Sequence, residues 1–213
     1  MAKFGNPLER WNSRFSQDGY LFGEEPNAYL RQHAPLLIGK GKTLCVADGE
    51  GRNSVWLARA GHTVTAFDFS PPAVAKARQL ARRHQVHLDL HCCDWINFDW
   101  REQVFDNVVG VFFQFADPQD RAILFKRMSS ALKPGGVMLI QGYHTDQLEF
   151  NTGGPGVLEN LYTEELMRTS FPELSVQDLR VYRQEIQEGT GHCGMSALVG
   201  YVGVKDLPAP DNP

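Results

Sequence analysis

From residue 43 onward, short apolar runs rich in β-branched residues alternate with longer stretches whose apolar positions recur every three or four residues. This is the order that a parallel sheet covered by helices requires. Thr43-Leu44-Cys45-Val46-Ala47 reads as a buried strand, the turn Asp48-Gly49-Glu50-Gly51 follows, and Asn53 to Ala60 forms a short helix that Gly61 stops. Thr63 to Phe67 is a second strand running into Asp68. Ser70 then caps a helix that opens on Pro71 and Pro72, where missing amides cost nothing, and that continues through His84. Val86 to Cys92 and Phe105 to Phe113 predict a third and a fourth strand. Asp117 before Pro118 starts a helix with a buried stripe of Ile123, Leu124, Met128, Ala131 and Leu132. Lys133-Pro134-Gly135-Gly136 ends it, and Val137 to Gln141 is the fifth strand.

After this strand the pattern changes. A glycine-rich stretch, Asn151 to Gly156, precedes a helix capped by Thr163, and Val176 to Ile186 with Ala197 to Val204 predict a closing hairpin at the sheet edge. The first 35 residues or so carry Trp11, Phe15, Tyr20, Phe22 and Tyr29, too many aromatics for an inert tail. They predict a helical flap over the domain, with core packing for most of these rings and a lid over a pocket as the functional alternative. One domain over residues 1–207 is expected, with 208–213, Pro-Ala-Pro-Asp-Asn-Pro, as a disordered tail.

Composition narrows the function classes. With 42% hydrophobic and 22% charged residues the chain is an ordinary globular protein, and 25 acidic against 21 basic side chains give a formal charge of -4. No basic nucleic-acid footprint is expected. The start lacks the apolar core of a signal peptide and no stretch reaches the roughly 18 apolar residues of a membrane span, so a cytoplasmic protein with no membrane partner is expected. Cys45 and the Cys92-Cys93 pair lie in strand-like contexts and are expected as buried thiols. His87, His91, Cys92 and Cys93 lack the spaced pairs of a structural zinc site, so no metal is expected. The pattern specifies no oligomeric state.

In an open parallel sheet the ligand crevice lies beyond the carboxyl ends of the strands where the strand order reverses, so the first place to look is the turn with Gly49 and Gly51. Such a turn suits a dinucleotide, another adenosine cofactor or no ligand at all. Asp68, about 20 residues further on, can accept from both hydroxyls of an adenosine ribose, or cap the next helix. Asp94 after the third strand can accept from an adenine amino group, with Trp95 or Ile96 over a ring face, or stand as a surface loop residue. Ser54, with Val55 and Trp56 behind it, occupies the place of the third glycine that a pyrophosphate fingerprint needs. A P-loop is not expected: the one Gly-Lys-Thr, Gly41-Lys42-Thr43, has Leu36 where the motif needs its first glycine and leads into the first strand instead of following it.

The run Gly49-Glu50-Gly51-Arg52-Asn53-Ser54-Val55-Trp56-Leu57-Ala58, then Gly61 to Ser70, resembles the class I S-adenosylmethionine-dependent methyltransferases. Within them it is similar to the small bacterial tellurite-resistance and thiopurine methyltransferases. Phe105-Asp106-Asn107-Val108-Val109, Leu132 to Gly136, Thr152-Gly153-Gly154-Pro155 and Glu188 to Gly194 extend the likeness over nearly the whole chain. It implies an α/β, Rossmann-like fold: a seven-stranded, mostly parallel sheet with helices on both faces and an antiparallel last strand. It also implies S-adenosyl-L-methionine as cofactor. Its methionine part would lie on the turn of Ala47, Gly49 and Gly51 with Asn53 beside it, its ribose on Asp68 next to Phe69, and its adenine on Asp94 and Trp95. The chain departs from the common pattern at Cys45, where an acidic residue often stands, and at Ala47, where the first glycine stands. Arg14 is a candidate for the cofactor carboxylate, or a solvated helix arginine.

Methyl transfer from a sulfonium is an in-line displacement, so positioning and exclusion of water supply much of the rate. The acceptor is expected to be a small molecule. A thiol or other soft nucleophile can do without a base, whereas a neutral oxygen or nitrogen benefits from one. His192 and His144 are the candidate bases, each with a structural alternative, and Gln114 and Tyr143 are candidate pocket residues. The competing functions are a non-catalytic module that binds S-adenosylmethionine and, third, an NAD-linked oxidoreductase.

Overall fold

The computed structural model describes residues 6–150 and 152–208. In chain order it runs α1 (Pro7–Phe15), α2 (Ala28–His33), β1 (Lys42–Val46), α3 (Arg52–Arg59), β2 (Thr63–Asp68), α4 (Pro71–Arg83), β3 (Asp89–Cys92) and β4 (Phe105–Val111). It continues with α5 (Pro118–Ala131), β5 (Leu132–Tyr143), α6 (Glu164–Ser170), β6 (Leu174–Glu188) and β7 (His192–Lys205). The strands form one seven-stranded sheet in the order β3-β2-β1-β4-β5-β7-β6. β1 to β5 pair in parallel and β7 runs antiparallel to both β5 and β6. Among the described residues no helix is long and apolar enough to cross a membrane.

Successive strand residues point to opposite faces, and in the central strands both faces are apolar. Leu44 and Val46 join one buried cluster and Cys45 the other; Val108 and Val109, Met138 and Leu139, and Tyr201 and Val202 divide in the same way. Leu124, Phe125 and Met128 of α5 cover the first face. Tyr29 and Leu30 of α2, Val55 and Leu57 of α3 and Leu80 of α4 cover the second. The strand order reverses between β1 and β4, which makes the carboxyl ends of those two strands the mouth of the crevice.

Several elements differ from expectation for physical reasons. Ile123 is 49% exposed, because Leu124 and Phe125 take the core line of α5, about a third of a turn round the helix. Val86 donates its amide to Ala81 and so closes α4, and β3 starts only at Asp89. β4 stops at Val111, and β5 begins at Leu132, which pairs with Phe105 ahead of a register shift. Cys45 is buried, but Cys92 is exposed and Cys93 half-buried because β3 is the sheet's edge strand. Ser70 stands at the α4 N-cap without capping it. Its hydroxyl donates instead to Asn12 Oδ1 at 2.6 Å, and prolines at the first two helical positions leave fewer amides to cap. The hairpin lies at the edge, with β6 outermost, and is longer than expected at both ends. The anticipated disordered tail falls, from residue 209 on, outside the described residues.

The aromatic N-terminal segment has two parts. α2 belongs to the core through Tyr29 and Leu30, so only α1 and the irregular strap 16–27 lie over the mouth.

Gly51 has φ +89, and a Cβ there would stand 2.8 Å from Ala77 Cβ; Gly49 has φ +64 and would meet only the Phe15 ring at 3.7 Å. Gly49→Ala is expected to lose about 1–2 kcal/mol for the left-handed backbone, and Gly51→Ala about 2–5 kcal/mol because overlap between α3 and α4 is added. Urea unfolding of the two variants checks this, and equal losses would contradict it.

Candidate functional site

The two strands that flank the reversal both end in left-handed backbone without glycine: Ala47 (φ 48) after β1 and Phe112 (φ 53) after β4. Such conformations are strained outside glycine and persist only where the surroundings impose them, which is common at functional sites. The other three non-glycine cases, Lys40, Gln85 and Gln103, are exposed turn residues. Ala47 thus adopts the conformation for which the class I pattern uses glycine.

Hydrogen bonds hold the turn after β1. Asp48 receives the Ser54 hydroxyl on its carboxylate, so that side chain is tied to the first turn of α3; desolvation, with the nearby Asp68 charge, pushes its carboxyl up to about 7. Asp68, the last residue of β2, is 6% exposed and accepts from Gly49 N through Oδ2 and from Ser70 N through Oδ1, each at 2.9 Å. Burial pushes its carboxyl up to about 6 although these bonds favour the charged form. Each oxygen keeps a second lone pair, enough for two ribose hydroxyls. Cys93 donates its amide to the Asp68 carbonyl at 3.1 Å and thereby joins the loops after β2 and β3. Asp94 Oδ1 accepts from Ile96 N, Asn97 N and Asn97 Nδ2, so one oxygen organises its own turn. Trp95 packs into the core with Arg127 over its ring at 5.3 Å, and Phe69 is half-buried beside Asp68. Asn53 is buried and its Oδ1 accepts from Asn27 N at 2.9 Å, which holds the strap.

The flap sits directly on this turn. Phe15 is the group nearest to Gly49, Trp11 stacks on Phe15 at 5.2 Å, and the Arg14 guanidinium lies 4.7 Å from the Trp11 ring centre. The strap is stitched on both sides. Leu21 N donates to Glu50 Oε2 at 2.7 Å, Lys76 Nζ bridges Glu50 Oε1 with the carbonyls of Gln17 and Gly19, and Thr190 N and Gly191 N donate to Leu21 O.

Beyond the turn, His192 opens β7 with 7% exposure, its ring 4.3 Å from Phe22, 4.3 Å from Phe112 and 5.7 Å from Tyr143. Tyr143 Oη and His192 Nδ1 are buried without a hydrogen-bond partner. Burial lowers the His192 imidazole below its usual value, and Arg52 and Arg14 add to this against the opposing Glu188. His144 lies apart from these contacts. Its Nδ1 accepts from Asp146 N at 3.2 Å and caps the short turn 145–149. Gln114 is also committed: it donates to the carbonyls of Tyr143 and Asn160 and accepts from Tyr143 N, which pins the backbone after β5.

The structure adds residues that the sequence did not single out. Arg52 Nη2 binds Glu188 Oε2 at 2.6 Å and Nη1 donates to Phe22 O, while Glu188 Oε1 accepts from Asn27 Nδ2 at 2.9 Å. Their one signal in the sequence is a charge set inside a glycine-bracketed run, Gly51-Arg52 and Glu188-Gly189. Two cavities of about 490 and 620 Å³ lie elsewhere, one beside α5 and one at the amino ends of β1 and β2, and neither is lined by Asp68 or His192.

Residues 44–136 match the family model of a methyltransferase domain. The chain is 34% identical over 113 residues to Hemagglutinin 1 of Eikenella corrodens, covering 51% of this chain but only 36% of that protein. It is 25% identical over 198 residues to the glycine/sarcosine N-methyltransferase of Aphanothece halophytica, covering 82% of this chain and 69% of that protein. In fold it is similar to the N-methyltransferase NodS of Bradyrhizobium japonicum solved with S-adenosyl-l-homocysteine, with a TM-score of 0.71 at 16% identity over 95% of this chain and all (100%) of that one.

Raised carboxyls at Asp48 and Asp68 carry a stability signature. A folded pKa above the unfolded value near 4 favours the fold below about pH 4 and loses that contribution as pH rises through about 6 for Asp68 and about 7 for Asp48. Asp68→Asn is therefore expected to gain on the wild type by up to about 3 kcal/mol between pH 4 and pH 7.5. Urea melts across that range measure the gain, and parallel profiles would refute the shift.

Proposed function

The chain carries a class I, S-adenosylmethionine-dependent methyltransferase domain, and from that premise we propose that it transfers a methyl group to a small molecule held between His192, Tyr143, Phe112 and the strap. What supports the cofactor half of this reading is Asp68. A buried carboxylate, fixed by two backbone amides and with two lone pairs to spare, stands at the crevice mouth beside strained, side-chain-poor backbone.

Bound there, S-adenosylmethionine supplies an electrophilic methyl on a sulfonium. Asp68 would take the ribose hydroxyls, the backbone from Ala47 to Gly51 the methionine part, and Asp94 the adenine amino group through its second oxygen. Arg14, half-buried over Trp11, is the cation offered to the carboxylate. Phe15 and Trp11 close over the turn and exclude water. His192 is kept neutral by burial and can receive a proton, and Tyr143, whose phenol burial raises far above its usual value, stays a hydrogen-bond donor. A thiol is the first acceptor class to examine: it is soft and gives up its proton to a neutral imidazole.

Calorimetric titration with S-adenosylmethionine, S-adenosylhomocysteine and NAD tests the cofactor. Asp68→Ala is expected to weaken S-adenosylhomocysteine by about 1–3 kcal/mol, and unchanged affinity in a folded variant would remove Asp68 from the site. Formation of S-adenosylhomocysteine with a panel of thiols and amines tests transfer; binding without turnover on any of them would favour a non-catalytic binding module. Tyr143→Phe is expected to leave the melting temperature unchanged, since its hydroxyl bonds nothing, and to raise the KM of whichever acceptor turns over by about tenfold, the worth of one hydrogen bond.

A further inference from the structure

His192 alone does not make a base. An imidazole acts in one direction only when a neighbouring acceptor favours the proton on its second nitrogen, because that selects the tautomer. Of the two ring nitrogens, Nδ1 is the one turned to a carboxylate: Glu188 Oε2 lies 3.6 Å away, an ion-pair distance just beyond a hydrogen bond. The opposite edge lies on the side of Gly153. A Cβ at Gly153 would stand 3.7 Å from His192 Cδ2 and 2.5 Å from Tyr143 Oη, so the Cδ2–Nε2 edge and the tyrosine hydroxyl look onto the same space.

Glu188 is itself held more firmly than a hairpin-end residue needs to be. Arg52 Nη2 binds one oxygen at 2.6 Å and Asn27 Nδ2 the other at 2.9 Å, with the Arg52 and Glu188 side chains only 8% and 11% exposed. Desolvation works to raise the Glu188 carboxyl, but the His192 ring and the Arg52 guanidinium outweigh it and hold the value at about 2. The carboxylate is therefore charged near neutral pH. A buried ion pair contributes little net stability, whereas it fixes position well.

We propose that Glu188, anchored by Arg52 and Asn27, is a positioning residue that keeps the His192 proton on Nδ1, so that Nε2 removes a proton from an acceptor nucleophile bound as X–H. This rests on the methyl-transfer reading above and narrows it: the acceptor arrives protonated, as a thiol, hydroxyl or amine, and not as a preformed anion. The proton of X–H passes to Nε2 while the X–CH3 bond forms at the expense of the donor's S–CH3 bond, whose electron pair stays on sulfur. The charge left on the imidazole is balanced by Glu188. The groups that face the ring from the elements packed on it are Glu188 of β6, Arg52 of α3, Arg14 of α1 and the neutral phenol of Tyr143 in β5.

The test is nitrogen-15 NMR of histidine-labelled full-length protein, with and without S-adenosylhomocysteine, across pH 4.5–8. The wild type is expected to show His192 as the Nδ1–H tautomer with a titration midpoint below the usual histidine value. In Glu188→Gln that midpoint is expected to fall further, by about one pH unit, because the one anion beside a ring flanked by two arginines is gone. Glu188→Asp is expected to restore part of the shift. An Nε2–H ring in the wild type, or an unmoved midpoint in a folded Glu188→Gln variant, would overturn the proposal, and the wild-type tautomer decides even if the variant does not fold. Calorimetry on the same samples separates the two levels. Failure of the wild type to bind S-adenosylhomocysteine strikes the methyl-transfer reading, whereas binding together with the wrong tautomer strikes only Glu188.

Discussion

The contact on which the site depends is the Asp68 carboxylate between Gly49 N and Ser70 N. It ties the turn after β1 to the start of the helix after β2, two segments that the sheet alone would only bring near. Once the turn is held, Ala47 must accept φ 48, Gly51 falls against Ala77, and α3 starts where its first residue, Arg52, points across the mouth. A carboxylate buried for this purpose resists ionisation, and its two amide bonds offset part of that resistance. Folding thus leaves there a carboxylate whose burial its two amide bonds only partly offset.

From Arg52 the constraint runs outward. Its bonds to Phe22 O and Glu188 join three segments remote in sequence: α3, the strap and the end of β6. Glu50, one turn residue earlier, joins the strap to Lys76 of α4. These contacts are polar and lie between elements, while the sheet beneath is held by apolar clusters on both faces. Hydrophobic burial holds the sheet, and the strap adds to its hydrogen bonds the packing of Tyr20 on the core and of Phe22 on Trp11, Phe15 and His192.

How much of this could be seen in the residues differs from one level to the next. The parallel sheet was legible because runs such as Val108-Val109 and Met138 to Ile140 are apolar on both faces, the pattern of a parallel sheet covered twice. Gly49, Gly51 and Asp68 were legible because a turn and a strand end restrict residue type locally. Ile123 misled because one apolar residue of four in Ile123-Leu124-Phe125 and Met128 had to fall outside the stripe, and the period alone does not say which. Cys92 misled because an edge strand has the same composition as an inner one. Gln114 looked like a pocket residue, yet its amide replaces backbone pairing beside Tyr143. The pairing of Arg52 with Glu188 was not legible beyond the glycines beside each, since a pair 136 residues apart is defined by the strand order and not by either neighbourhood.

The same reasoning explains why His192, on the hairpin, keeps a ring that its own turn does not use, whereas His144, at the end of a parallel strand, does not. Parallel strands end in turns that lead straight into the next helix, so their residues are drawn into starting it. His144, after β5, shows the result: its ring is consumed by the short turn that follows it. β7 enters the sheet from the opposite direction, so its first residue, His192, arrives at the mouth with no helix to cap and with glycines at 189, 191 and 194 that let Leu21, Phe22 and Thr152 pack closely beside it. Adding one antiparallel strand therefore places a titratable ring beside Phe112 and Tyr143, where the histidine that ends a parallel strand is taken up by its own turn.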